Sequence, residues 1–238
     1  MKEGSFNEHA ENYDGWFLKN KNVLESEVLL LKYFLSNPGK AVSIGCGSGL
    51  FEYLLKTEHG IEIGYGVEPS KAMARIAQKR GIIVKIGTAE SLPFGDEEFD
   101  TAILNGVLSY VDDPKKALEE AYRVLKYGGY VVVACVPAES SYGMLYKLAE
   151  LKGGWDDPYL KRIAPKHPYP IEFVRGARWC TIEEASEWLK EAGFVDLRFA
   201  QTLTRHPKYS DNYVEQATEG YERGDYVAIK ARKPIDTH

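Results

Sequence analysis

The chain predicts an α/β fold, a doubly wound and mostly parallel sheet of seven strands with helices on both faces. Three observations carry that expectation. Strand-sized apolar runs alternate with amphipathic stretches of helical spacing. The helical stretches bring their own start and stop residues. The first apolar run, Ala41–Ile44, ends in Gly45-Cys46-Gly47-Ser48-Gly49, a glycine loop that opens directly into a helix-forming segment.

Leu24, Val28, Leu31 and Leu35 recur at helical spacing until Asn37-Pro38-Gly39 stops the helix, which should pack on the sheet. Residues 50–57 form the helix behind the glycine loop, and residues 63–67 the second strand. Ser70 caps a helix that Gly81 ends, and residues 82–86 and 101–104 are strands three and four. Asp113-Pro114 pairs an N-cap with a proline at the first helical position; Ala117, Leu118, Ala121, Val124 and Leu125 then make the apolar face up to Gly128-Gly129. Residues 130–136 are strand five. After Pro137 the alternation stops through residue 178, with Gly153-Gly154 and prolines at 158, 165, 168 and 170, an insertion whose length suits a lid or binding loop. Thr181-Ile182-Glu183-Glu184 is a capping box that opens a helix through Ala192. Residues 194–203 and 226–231 are the last two strands, joined by a long polar loop. The expected organisation is one domain over 1–238: an N-terminal cover and helix (1–37), a ligand-binding core (41–136), a lid or acceptor-site insertion (137–178), and a closing helix with two strands (179–233).

Lys and Arg total 30 against 35 Asp and Glu, a net charge of −5, so no broad positive field exists to collect phosphates and no nucleic-acid partner is expected. The three cysteines, Cys46, Cys135 and Cys180, lie far apart with no C-x-x-C pair, which suits a reducing compartment and speaks against a disulfide framework or a metal knuckle. The longest apolar run, residues 130–137, is strand-sized, so neither a membrane span nor a signal peptide is expected and the location expected is cytoplasmic.

The chemistry starts at the glycine loop. Glycines let the backbone turn sharply and approach a ligand at a helix N-terminus, and Glu68, at the end of the next apolar run, is placed to accept hydrogen bonds from two ribose hydroxyls. The pattern is G-x-G-x-G, with Leu50 where a dinucleotide loop carries its third glycine, one residue short for a pyrophosphate.

Four blocks follow in order: Val42-Ser43-Ile44-Gly45-Cys46-Gly47-Ser48-Gly49; Gly66-Val67-Glu68-Pro69-Ser70; Gly87-Thr88-Ala89-Glu90-Ser91-Leu92-Pro93-Phe94 with Phe99-Asp100; and Arg123-Val124-Leu125-Lys126-Tyr127-Gly128-Gly129. Together they resemble the ordered motifs of the class I S-adenosylmethionine-dependent methyltransferases, type 11 group, most closely over residues 41–136 and more loosely in the flanks through Tyr13-Asp14-Gly15-Trp16-Phe17. The resemblance implies a Rossmann-like sheet, S-adenosylmethionine as methyl donor and S-adenosylhomocysteine as product. It implies a donor site of Tyr13, Ser43, Gly45, Cys46, Gly47, Gly49, Glu68, Pro69, Thr88, Ala89, Glu90 and Asn105. Within it the glycines receive the methionine part, Glu68 the ribose, Thr88 to Glu90 the adenine, and the Asn105 carbonyl the donor's ammonium group. Ser43 departs from the pattern, since relatives commonly have an acid there; a serine accepts one hydrogen bond but brings no charge. Thr88 likewise stands where an Asp often meets the adenine amino group. Replacing Glu68 should cost donor binding with little loss of fold stability.

What is missing narrows the reaction. Asn105-Gly106-Val107-Leu108 lacks the Pro-Pro-Tyr of amino-methylating tetrads, no cysteine follows a proline to act as a cytosine nucleophile, and the acidic set of metal-dependent catechol enzymes is not present. Tyr142, Tyr146, Trp155, Tyr159, Tyr169, Phe173 and Trp179 crowd the insertion, either as a cage for an apolar, aromatic or cationic amine acceptor or as anchors of the lid. Tyr110 is open to the same two readings. His167 and His206 are the only imidazoles suited to act as general base, though a lone histidine of this kind is more often a surface residue. The expectation is a methyltransferase acting on a small molecule. The rival readings are a nicotinamide-dependent oxidoreductase on the same kind of sheet and a non-catalytic donor-binding protein.

Overall fold

The computed structural model describes residues 10–235. Strands β1 (Ala41–Ile44), β2 (Tyr65–Glu68), β3 (Ile83–Ile86), β4 (Phe99–Asn105) and β5 (Leu125–Cys135) run parallel. Antiparallel to β5 lies β8 (Tyr226–Arg232), and antiparallel to β8 lies β6 (Val195–Thr202). A two-residue strand, β7 (Thr218–Glu219), closes the edge, giving the order β3-β2-β1-β4-β5-β8-β6-β7. The sheet therefore has eight strands where seven were expected. The eighth pairs Ala200 with Glu219 and Gln201 with Thr218, too short a segment to leave an alternation in the sequence. The chain reverses its winding between β1 and β4, and the crevice beyond the carboxyl ends of these strands is where open α/β sheets bind ligands.

The helices start where their caps predict. Ser70 Oγ accepts the Met73 N–H at 3.2 Å ahead of α4 (Lys71–Lys79), and Asp113 accepts the Lys116 N–H at 3.0 Å ahead of α5 (Pro114–Val124). Thr181 and Glu184 exchange reciprocal bonds of 3.1 and 2.8 Å at the start of α9 (Ile182–Glu191), completing the capping box. Behind the glycine loop runs α3 (Leu50–His59).

One sheet face packs against α5 and α9. The other is covered by α1 (Ala10–Lys19), α2 (Lys21–Phe34) and the insertion, which folds into α6 (Ser141–Leu151), α7 (Leu160–Ile163) and α8 (Ile171–Gly176). Tyr142, Tyr146, Phe173 and Val174 belong to the same buried cluster as the sheet residues Ile103, Val132 and Ala134. The insertion is thus helical and rooted in the core. Among the described residues no helix is long and apolar enough to cross a membrane.

Candidate active site

The glycine loop is built for close approach. Gly45 has φ +69°, and a Cβ there would lie 2.8 Å from Val107 Cγ2, so the turn tolerates no side chain. Gly47, at φ +54°, is different: a Cβ would meet nothing within 4 Å, because this glycine faces a cavity that a side chain would begin to fill. Gly49 sits at the start of α3, packed against Ala77 and Ile82, outside the cavity lining.

Glu68, at the carboxyl end of β2, is 3% exposed and still reaches the cavity. Its Oε2 accepts the Gly47 N–H at 3.0 Å and its Oε1 the Ser70 N–H at 2.9 Å, so the carboxylate is fixed by the loop on one side and the next helix start on the other. Burial lifts its pKa to about 7, against the pull of these two backbone donors. Ser43 plays a part other than the one expected: its hydroxyl donates to Glu52 Oε1 at 2.5 Å beneath the loop, and both residues are buried. The acid missing from β1 thus arrives from the first turn of α3, with burial raising the Glu52 pKa and the Ser43 bond and Arg80 charge opposing it.

Of the remaining donor candidates, most lie around the cavity and do not line it. Cys46 is buried, its Sγ directed toward Gly66, and burial pushes the thiol well up. Ala89 is a core residue, Thr88 turns back onto Ser91, and Glu90 Oε1 accepts the Asp112 N–H at 2.9 Å; none of them, nor Pro69, is in the lining. Tyr13 and Asn105 are. Asn105 Oδ1 accepts the Tyr226 hydroxyl at 2.7 Å, which ties the end of β4 to β8.

From Gly45, Gly47, Glu68 and Asn105 the cavity runs without a break into an aromatic chamber of Trp16, Phe17, Tyr110, Tyr146, Tyr169, Trp179 and Tyr226. The space between its walls, with the open mouth included, comes to about 840 Å³. Trp16 meets Tyr169 edge-on with centroids 5.0 Å apart, Tyr146 leans on Trp179 at 5.1 Å, and Tyr110 donates to the Tyr169 hydroxyl at 3.4 Å. Trp155 supports from behind, its Nε1 donating to the Tyr169 carbonyl at 2.8 Å, and Tyr159 is exposed and takes no part. Some of the aromatic residues of this segment therefore line the cavity, and others lie outside it.

Neither histidine candidate lines the chamber. His167 contributes its backbone carbonyl, which accepts Trp16 Nε1 at 2.9 Å and Asn20 Nδ2 at 3.2 Å, pinning the insertion to α1. His206 is exposed, and its Nδ1 accepts the Lys208 N–H at 3.2 Å at the start of a 3-10 turn (Pro207–Asn212).

Two functional features escaped the sequence reading. Asp14 of α1 accepts Ser48 Oγ at 2.5 Å and the Arg80 guanidinium at 2.7 Å, and Arg80 also donates to the Ser48 carbonyl at 2.8 Å, a clasp that draws α1 across the glycine loop. Glu27 of α2 lines the chamber, is 6% exposed, and burial alone raises its pKa to about 8. The signal for Glu27 was a carboxylate on the same helix face as Val23, Leu30, Leu31 and Phe34.

Residues 42–133 match the family described as a methyltransferase domain. The chain is similar to the crystal structure of a Thermotoga maritima S-adenosylmethionine-dependent methyltransferase, designated a possible histamine N-methyltransferase. The two share 38% identity and a TM-score of 0.82, covering 96% of this chain and 97% of that one. An uncharacterized protein of Methanocaldococcus jannaschii is 36% identical over 228 residues, 96% of this chain and 98% of the relative. The malonyl-[acyl-carrier protein] O-methyltransferase of Methylococcus capsulatus is 28% identical over 207 residues, 84% of this chain and 68% of the relative.

Proposed function

The chain belongs to the class I S-adenosylmethionine-dependent methyltransferases, type 11 group, and from that premise we propose that it methylates a small molecule held in the aromatic chamber. Membership sets aside the nicotinamide reading and makes S-adenosylmethionine the donor and S-adenosylhomocysteine the product.

The residues present fit that donor. Gly47 leaves open space where a side chain would stand, and Glu68 turns a buried carboxylate toward that space. Bound there, S-adenosylmethionine supplies a methyl carbon on a sulfonium sulfur, a good leaving group, so the reaction is an in-line displacement governed by proximity and alignment. Glu68 accepts from the ribose hydroxyls, with its orientation already set by Gly47 and Ser70. The end of β4 at Asn105 and Gly106 faces the methionine end, and Tyr13 closes the cavity from α1. The rings of the chamber exclude water and hold the acceptor against the donor space.

The single observation that carries the small-molecule assignment is the continuity of the cavity: one recess joins the donor cradle to a chamber walled by rings from α1, α6, β8 and the loop after β4. The net charge of −5 agrees with it. The test incubates the protein with methyl-labelled donor and separate pools of metabolites, total RNA and cell protein. Label in the metabolite pool is the expected result; label confined to RNA or protein overturns the small-molecule assignment, and no label anywhere favours a donor-binding protein without turnover.

A further inference from the structure

Glu27 is a carboxylate in an unusual place. It lies on the buried face of α2, it lines the aromatic chamber, and among the described residues it has neither a hydrogen bond nor an ion pair. The titratable groups that feel its charge are Tyr13 from α1, Tyr142 and Tyr146 from α6, and Tyr226 from β8, all phenols, and each is raised by it. No cation stands among the causes that act on Glu27 itself, which are burial alone. A buried carboxylate without a counter-charge is destabilising unless something supplies one. Sharing the chamber with it are Trp16, Phe17, Tyr146 and Tyr226, whose ring faces attract a cation and whose apolar surfaces bury a hydrocarbon body. A neutral acceptor would gain at most a hydrogen bond from Glu27, and an anionic one would be repelled by its ionised form.

We propose that Glu27 is the counter-charge for an ammonium group on the methyl acceptor, and hence that the acceptor is a small amine that enters the chamber as a cation. This deepens the small-molecule methyltransferase reading and rests on it.

The experiment is calorimetry on the full chain saturated with S-adenosylhomocysteine, using three matched probes: 2-phenylethylamine, 2-phenylethanol and 3-phenylpropionate. The amine should bind at least about tenfold more tightly than the alcohol, the carboxylate should not bind, and Glu27→Gln should bring amine and alcohol to equal affinity while Glu27→Asp retains part of the preference. Equal affinities in the wild type, no amine binding, or a preference that survives Glu27→Gln overturns the proposal. Loss of S-adenosylhomocysteine binding in the wild type would instead overturn the donor reading beneath it, so the two failures are distinguishable.

Thermal unfolding gives a second readout that no bound probe confounds. In the unfolded chain Glu27 ionises near its ordinary value of 4.5, in the folded chain only near 8, so its stabilising share is whole below pH 4.5 and is lost as pH rises toward 8. Glu27→Gln lacks that loss. The midpoint of the variant relative to the wild type should therefore rise between those two pH values and then level off, and saturating 2-phenylethylamine should narrow the gap at pH 8. A gap independent of pH would mean that Glu27 is already paired, and would overturn the proposal.

Discussion

Glu68 joins what was legible at the residue scale to what was not. The proposal that it binds the donor's ribose follows from its place at the end of the second apolar run. Its structural duty does not, because the bonds to the Gly47 and Ser70 N–H groups exist only once β2 stands beside the glycine loop. The expectation of little loss of fold stability on its replacement takes no account of these two bonds. Glu68→Ala removes charge-assisted bonds to the donor, about 1.5–3 kcal/mol, or roughly tenfold to a hundredfold in affinity for S-adenosylhomocysteine. It also strands two backbone donors, one of them buried, at a cost of about 1–3 kcal/mol each if no water reaches them, offset in part by removal of a buried acid. Calorimetry and thermal unfolding should thus both register the change. Unchanged donor affinity would place the ribose elsewhere. Ser43 teaches the same lesson in reverse: a missing acid in β1 was visible, but Glu52, nine residues on and in a different element, could be matched to it only through the fold.

At the scale of elements, the strand–helix alternation and the caps at Ser70, Asp113 and Thr181 were readable because each is a local signal. What joins elements was not. The clasp of Asp14 to Ser48 and Arg80 links residues 34 and 66 positions apart and sets α1 across the glycine loop, bringing Tyr13 into the cavity. Closure of the donor site should depend on it. The Asp14–Arg80 pair is largely shielded from solvent, with side chains 14% and 22% exposed, so it escapes most of the screening that makes surface pairs weak. Asp14→Asn keeps the shape and removes the charge; donor-product affinity should fall about fivefold or more, with little change in the unfolding of the sheet. Arg80→Gln should produce a similar loss, and the double variant clearly less than the sum of the two, since both residues act within one connected clasp. Additive losses would mean that the two residues act independently and that no clasp exists.

For the whole molecule, the question the sequence left open is whether residues 137–178 move. Prolines and paired glycines signalled an irregular segment, and irregular segments of that length are often lids. Helical spacing of buried tyrosines could not be told from a ring cage without knowing what they face. The packing separates them. Tyr142 and Phe173 are 3% and 1% exposed and share a cluster with the sheet residues Ile103 and Val132, and Tyr142 adds a 2.6 Å hydroxyl contact with Ser210 and a 2.9 Å backbone bond to Asp225. Opening α6 would expose that cluster, so its opening should require nearly the free energy of unfolding the sheet. By contrast, α1 crosses the cavity mouth with Leu18 and Lys19 exposed, tied to the sheet side through the clasp and to the insertion through the His167 carbonyl. Of the two covers, α1 has the smaller hold on the core, with Trp16 and Phe17 buried in that cluster against Tyr142, Tyr146, Phe173 and Val174 from the insertion, so it is the one expected to part from the cavity first. Hydrogen exchange should therefore show α6 already protected in the free protein and little altered by S-adenosylhomocysteine, while residues 13–19 gain protection on binding. Fast exchange across α6 that slows on binding would return the insertion to the role of a mobile lid, and equal protection of α1 in both states would make the whole cover a fixed layer.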